Sequence, residues 1–383
     1  VQTRSQRDLL ILLREDILPK ARLTLEVSNG SYSVGEVDFP QLIDNWRQFD
    51  RHYSALLDGS AFAKTRRGPR PIESIYLPIN CNWPADYLGW GTPAYEIEFV
   101  KVVGQMADHF TRKGWTKTSF EMFFNHKTRF KVFEWDGDET RFPKDNAYFK
   151  EFGRLLAKAV PPGKGARFVF RHDASWLMRQ QFDDLAGVVN MWICNKEVFS
   201  YYPEAPALLR ARGDKVWIYG SPPNAFTASV GAVGMPLRAW MCGTDGFVHW
   251  LAVNVGSDPW FNFFGGGTGL IFPGGKFGLD GPLASVRLKL QRNCLQDIAL
   301  LDHIGKRTGQ QAVREKVAAL AGVKPIDWWR PNAPAKKLPP WEWSNAMLGG
   351  TPSKYNQRRA KLGGRWWLTV RKYALDAAGE VKP

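Results

Sequence analysis

Short runs of β-branched and aromatic residues recur along this chain, and most are followed by an amphipathic stretch long enough to be a helix. The runs are ARLTLEV (21–27), SIYLPIN (74–80), TSFEMFFN (118–125), ARFVFRH (166–172), VVNMWICN (188–195), KVWIYGS (215–221), FVHWLAVN (247–254) and GLIFPGG (269–275). Buried strands alternating with helices imply parallel strands joined by right-handed crossovers. Eight such units over residues 21–305 fit an α/β fold of the (β/α)8 TIM-like barrel type, typically ~250 residues plus insertions. An open doubly wound sheet is the runner-up. The seventh connection, GSDPWFNFFGGGT, reads as loop. Its GGGTG precedes a strand instead of joining a strand to a helix, so it is no dinucleotide fingerprint.

The expected organisation is an N-terminal extension (1–20), the barrel (21–305) and a C-terminal extension (306–383). The last part carries a helix at QQAVREKVAALAG, a proline-rich KPIDWWRPNAPAKKLPPWEW and a final GGRWWLTVRKYALDA. It is expected as a tail packed on the barrel or as a partner-binding strap. Arg287, Arg292 and Asp297, on the helix after the eighth run, read as architecture, with Arg287 and Asp297 pairing across turns or with neighbouring loops.

Composition excludes several classes. With 44% hydrophobic residues in 383, the chain can bury a large core, yet no stretch approaches the ~20 apolar residues of a membrane span. The opening VQTRSQRDLL lacks the apolar centre of a secretory signal. A signal removed ahead of residue 1 would fit a secreted or periplasmic location, with the cytoplasm as alternative. Cys81, Cys194, Cys242 and Cys294 share no metal-ligand spacing and read as isolated thiols, so neither metal nor cofactor is expected. The net charge of +15 attracts polyanions. The basic clusters KTRRGPR (64–70) and QRRAK (357–361) carry no nucleic-acid motif, and an acidic polysaccharide suits the same field.

In a barrel of this kind the active site sits at the C-terminal strand ends. The residues there are Asn80, with Asn82 and Trp83; Asn125, His126 and Lys127; Arg171, His172 and Asp173; and then Asn195, Tyr219, Trp250 and Asn254, with Trp260 in the seventh connection. The acidic loop WDGDET (135–140) follows the third run on the same face. Amides and carboxylates bind sugar hydroxyls, and Trp and Tyr rings stack on pyranoses, so this rim predicts a carbohydrate cleft. Glycoside hydrolysis needs an acid for the leaving oxygen and a second group to stabilise positive charge at the anomeric carbon. Asp136, Asp138 and Glu139 offer both, with Asp136, beside Gly137, as turn former or helper. Trp135, Tyr219, Trp250 and Trp260 are the expected stacking platforms, whereas Trp192, Trp217 and Trp240 read as core. For His126, His172 and His249 the structural role outweighs a catalytic one.

The segments FNHKTRF…WDGDET, FRHDASW, VWIYGSPPN, GTDGFVHW and LIFPGG…GPLASVRLKLQRNCLQDIALL resemble the catalytic domain of glycoside hydrolase family 123 over roughly residues 40 to 302. That resemblance implies a β-N-acetylgalactosaminidase-like enzyme using substrate-assisted retaining catalysis. Asp138 would then steady the oxazolinium ion formed by the substrate's 2-acetamido group, and Glu139 would be the general acid/base. The family usually follows this dyad with Pro, where this chain has Thr140. The alternatives are a glycosidase of the same fold acting on a non-acetamido or acidic glycan with Asp173 as second carboxylate, and a non-catalytic carbohydrate-binding barrel.

Overall fold

The structure is a computed structural model, and it describes residues 25–28, 31–34, 43, 45–77, 79, 91–128, 134–140, 142–163, 165–175, 180–195, 198–199, 202, 204–220, 229, 231–253, 269–321 and 365–380. Its centre is a set of parallel strands: β3 (Ser74–Tyr76), β4 (Ser119–Met122), β5 (Arg167–Ala174), β6 (Met191–Asn195), β7 (Lys215–Gly220) and β8 (Gly246–His249). Spatial order follows chain order from β3 to β8. A doubly wound sheet would show a reversal of order at a switch point; the described strands show none, an order consistent with an α/β barrel-like fold.

Two of the eight expected strands do otherwise. The first run contributes β1 (Leu25–Ser28), which pairs antiparallel with β2 (Ser31–Val34). The register runs from Leu25↔Val34 to Ser28↔Ser31. The eighth run contributes β9 (Ile271–Pro273), which pairs antiparallel with β10 (Pro282–Ala284), while Ile271 forms a parallel bridge with Val253, beyond the end of β8. Among the described residues six strands are parallel, and a closed eight-stranded barrel is not seen.

The chain divides into two compact units. The first comprises residues 1–127 and 147–170 and holds helix α1 (Arg47–Leu57), helix α2 (Pro93–Arg112), β3, β4, most of helix α3 (Asp145–Ala159) and the first half of β5. Helix α2 starts where Pro93 takes the first turn and Thr92 Oγ1 accepts from Tyr95 N at 3.3 Å. Tyr95, Phe99, Val102, Met106 and Phe110 recur at helical spacing and form its buried face. Phe110 stacks on Phe120 of β4 at 4.2 Å, and Phe149 stacks on Phe170 of β5 at 5.4 Å, so rings fill this core.

The second unit comprises residues 128–146 and 171–383. It contains the second half of β5, helix α4 (Gln181–Asp184), β6, helix α5 (Ala205–Ala211), β7, helix α6 (Gly231–Met241) and β8, then helices α7 (Val286–Thr308), α8 (Gln310–Leu320) and α9 (Trp366–Glu380). Met191 through Cys194 are all buried, as befits a parallel strand covered on both faces. Gly246 opens β8 because the Trp217 indole lies over it: a Cβ there would stand 2.8 Å from the ring. Trp192 and Trp240 are core, as expected, and Trp217 is half-buried. Ser285 Oγ caps α7 by accepting from Leu288 N at 3.2 Å.

The pairing expected for Asp297 is corrected. Its carboxylate accepts from Trp367 Nε1 at 3.0 Å and from Arg371 Nη1 at 2.9 Å, both on α9, so Asp297 fastens the C-terminal helix to α7. Arg287 is buried near the start of α7, where desolvation lowers its pKa. Cys194 and Cys294 are buried free thiols, and burial pushes Cys294 up to about 12. No helix among the described residues is long and apolar enough to cross a membrane.

Candidate active site

The second unit brings WDGDET to the C-terminal ends of its strands. Asp136 braces the loop from beneath. Its Oδ1 accepts from Thr128 N at 2.7 Å and Thr128 Oγ1 at 3.0 Å, while its own N–H donates to Asp145 Oδ1 at 3.3 Å. Asp145 also takes Phe142 N–H at 3.2 Å, so the carboxylate at the start of α3 collects backbone donors from both ends of the loop. Trp135 is 1% exposed and offers no open ring to a sugar, contrary to its expected role as a platform. An indole this deep anchors the loop instead.

Glu139 has φ 52°, and it is the one non-glycine with positive φ among the described residues. A β-carbon in that region costs on the order of 1–2 kcal/mol, so the surroundings must over-determine it. They do. Glu139 Oε1 accepts from Ser175 Oγ at 2.7 Å and from the Tyr219 hydroxyl, and those two hydroxyls also meet each other. Tyr219 is hydrogen-bonded to Asn195 as well.

Strand register explains why these groups converge. Asp173 pairs with Ile193, Ile193 with Trp217, and Asn195 with Tyr219. Side chains two residues further along a parallel strand keep the same face. Ser175, Asn195 and Tyr219 therefore form one row across β5, β6 and β7, and Glu139 reaches into that row. Burial, followed by the nearby Glu139 charge, raises the Tyr219 phenol well above its ordinary range, so it stays protonated and able to donate.

One residue on, Thr140 is fully buried on the other side of β5. Its Oγ1 lies 2.8 Å from His172 Nε2 and accepts from Gln181 Nε2 at 2.5 Å. Gln181 reaches Asn146 Oδ1 at 3.5 Å, and Asn146 donates to Asp184 Oδ2 at 2.9 Å. His172 packs against Trp192, and burial lowers its pKa to about 3, which keeps the ring neutral.

The other expected site residues are distributed as follows. Arg171 and Asp173 are buried and pair with each other: Nε donates to Oδ1 at 2.6 Å and Nη2 to Oδ2 at 2.8 Å. Asp138 is half-buried beside Glu139. Trp250, at the end of β8, is 51% exposed and does present a ring. His249 is held by Gln291, nitrogen to nitrogen 2.6 Å, and burial lowers its pKa. Asn125, His126 and Lys127 belong to the first unit, where Asn125 is exposed, Lys127 half-buried and His126 buried against Phe124. Asn80, Asn82, Trp83, Asn254 and Trp260 lie outside the described residues. Ser175 and Gln181 carry no expectation from sequence, and Thr140 enters there only as the residue that follows the dyad. For Ser175 a signal existed, since it stands two positions past Asp173 on the face that carries Asn195 and Tyr219. No cluster of three or more metal-ligating side chains occurs among the described residues.

No protein-family model matches the chain, and no curated protein is similar to it in sequence. It is similar to a solved structure of a family 123 glycoside hydrolase from Clostridium perfringens, analysed for glycolipid glycan hydrolysis. The identity is 14% and the TM-score 0.48, covering 76% of this chain and 47% of that one. The chain thus spans about half the length of that solved structure.

Proposed function

We propose that this chain is a glycoside hydrolase in which Glu139 transfers the proton and Asp138 is its partner. One observation carries the reading: a carboxyl held on left-handed backbone at the ends of parallel strands, on two neutral hydroxyls, Ser175 and Tyr219. A group that must both give and take a proton is served by such company, because hydroxyls can donate to a carboxylate or accept from a carboxylic acid. As the family resemblance implies, the substrate is a β-linked 2-acetamido sugar. Its acetamido oxygen attacks the anomeric carbon while Glu139 protonates the leaving oxygen, and the glycosidic C–O bond breaks. Asp138 steadies the oxazolinium. Glu139 then takes a proton from water, which attacks the anomeric carbon and restores the acetamide with net retention.

The two-carboxylate alternative asks Asp173 to act as nucleophile or base. Both of its oxygens are engaged by Arg171, which fits a structural ion pair better than a reagent. The net charge of +15 further favours an acidic glycan as substrate. A panel of aryl glycosides and anionic polysaccharides tests the reading. Release of product from 2-acetamido substrates, its loss in Glu139→Gln and inhibition by a thiazoline mimic of the oxazoline are the expected results. Activity confined to 2-hydroxy sugars and indifferent to the thiazoline would move the mechanism to Asp173, and absence of hydrolysis across the panel would sink the enzyme reading.

A further inference from the structure

We infer that Thr140 and His172 form a positioning pair for Glu139: by pinning the next residue to the opposite face of β5, they hold the backbone turn that delivers the Glu139 carboxyl to Ser175 and Tyr219. The inference rests on the reading of Glu139 as the proton-transferring group. Consecutive residues of an extended strand alternate between its faces, so His172 and Ser175 look to opposite sides of β5. Glu139 is bound to Ser175, and Thr140 is bound to His172. Two adjacent loop residues are thereby tied to the two faces of one strand end. An ordinary right-handed or extended backbone at Glu139 would carry one of the two away from its anchor, and the positive φ of 52° is what reconciles them.

The anchor behind Thr140 is built to stay put. Thr140 and His172 are each 0% exposed, and Gln181 is 1% exposed. Gln181 Nε2 donates to Thr140 Oγ1, which leaves the Thr140 O–H to donate to His172 Nε2, the bare nitrogen of a neutral ring. The chain of partners continues through Asn146 to Asp184 on α4. A buried polar chain of this kind is costly to break at any one link, so it fixes the geometry at its end. None of these side chains is required to touch substrate; they act through Glu139.

Thr140→Val, with Thr140→Ala beside it to separate loss of the hydroxyl from the added methyl, removes the link. Thr140→Ser restores it. With a 2-acetamido aryl glycoside, the Val and Ala variants are expected to lose about 10- to 100-fold in kcat with KM within about 2-fold, while the Ser variant stays near wild type, since a small displacement of a reacting group is costly. Crystal structures of wild type and Thr140→Ala are expected to show residue 139 leaving the left-handed region in the variant and its carboxyl off Ser175 and Tyr219. An unchanged Glu139 in the Ala variant, or a Ser variant as impaired as Ala, would overturn the positioning role. A wild-type protein without glycosidase activity would overturn the proposed function, and the crystallographic comparison would still decide whether Thr140 sets the Glu139 turn.

Discussion

Two carboxylates in the second compact unit are held in opposite ways. Glu139 receives hydrogen bonds from two hydroxyls, Ser175 and Tyr219, on strained backbone in a loop. Asp297 lies in the middle of a 23-residue helix and receives an indole N–H and a guanidinium from α9. Burial raises the pKa of Asp297, and Arg371 offsets that only in part, so the charge and its cation depend on each other. Hydroxyls carry no charge, and each can donate to a carboxylate or accept from a carboxylic acid. The first arrangement suits chemistry, and the second suits fastening one helix to another.

The largest expected contrast is between Glu139→Gln and the Asp297 contact. Glu139→Gln is expected to lower kcat by about 10²–10⁴-fold and leave the unfolding midpoint unchanged, measured by turnover and urea titration. Arg371→Met is expected to do the reverse. It leaves Asp297 buried without its cation, a loss of about 1–3 kcal/mol, below the 3–5 of a fully buried pair because Arg371 is 31% exposed. Hydrogen exchange should then show α9 opening before the rest of the unit, with kcat unaltered. If Glu139→Gln destabilises and still turns over, both carboxylates are structural and the contrast collapses.

A sharper version keeps Glu139 and removes its partners. Tyr219→Phe and Ser175→Ala each delete one hydroxyl from the same carboxylate oxygen, and each is expected to lower kcat by about 10-fold, in line with a neutral hydrogen bond of about 1 kcal/mol. Because both act on one oxygen, the double variant should lose less than the product of the two. Multiplicative losses would mean that the hydroxyls serve separate ends and do not act together on Glu139.

What the sequence disclosed follows the same division between pattern and local geometry. Six of the eight apolar runs became parallel strands in chain order, because buried parallel strands announce themselves by continuous apolar character. ARLTLEV (21–27) reads as a parallel strand although the Asn29-Gly30 that follows it in sequence spells a hairpin, and GLIFPGG is short and interrupted by Pro273. The position of WDGDET after a strand, and of Tyr219 and Asn195 at the ends of theirs, leads to the expectation of one rim, and in the structure Glu139 of that loop meets Tyr219, which is bonded to Asn195. The left-handed Glu139 and the Thr140 to His172 link could not be read, since both depend on which side of β5 each residue meets, and that is set by tertiary register. Trp135 failed as a platform for a related reason: an aromatic beside acids reads alike whether it faces a sugar or the core.

The smallest expected effect per step of the measurement separates His172, behind the site, from Asp297 by the sign of its pH dependence. Burial holds folded His172 at about 3, against an ordinary value of 6.5. Between those values the unfolded chain binds a proton that the folded chain refuses. Stability is therefore full above pH 6.5 and falls on acidification, by at most about 1.4 kcal/mol per pH unit from this one ring. Asp297 is shifted the other way: a carboxyl raised by burial favours the folded state at low pH and loses that contribution as pH rises through its folded value. His249, lowered by burial, adds to the histidine slope. The test is urea unfolding of wild type and His172→Gln between pH 6.5 and 5. The variant is expected to have a shallower loss of stability with acid, because it has no ring to protonate on unfolding, and Arg371→Met should leave that difference in slope intact. Equal slopes in wild type and His172→Gln would mean that His172 is protonated in the folded protein, and a charged ring could not accept the Thr140 hydroxyl.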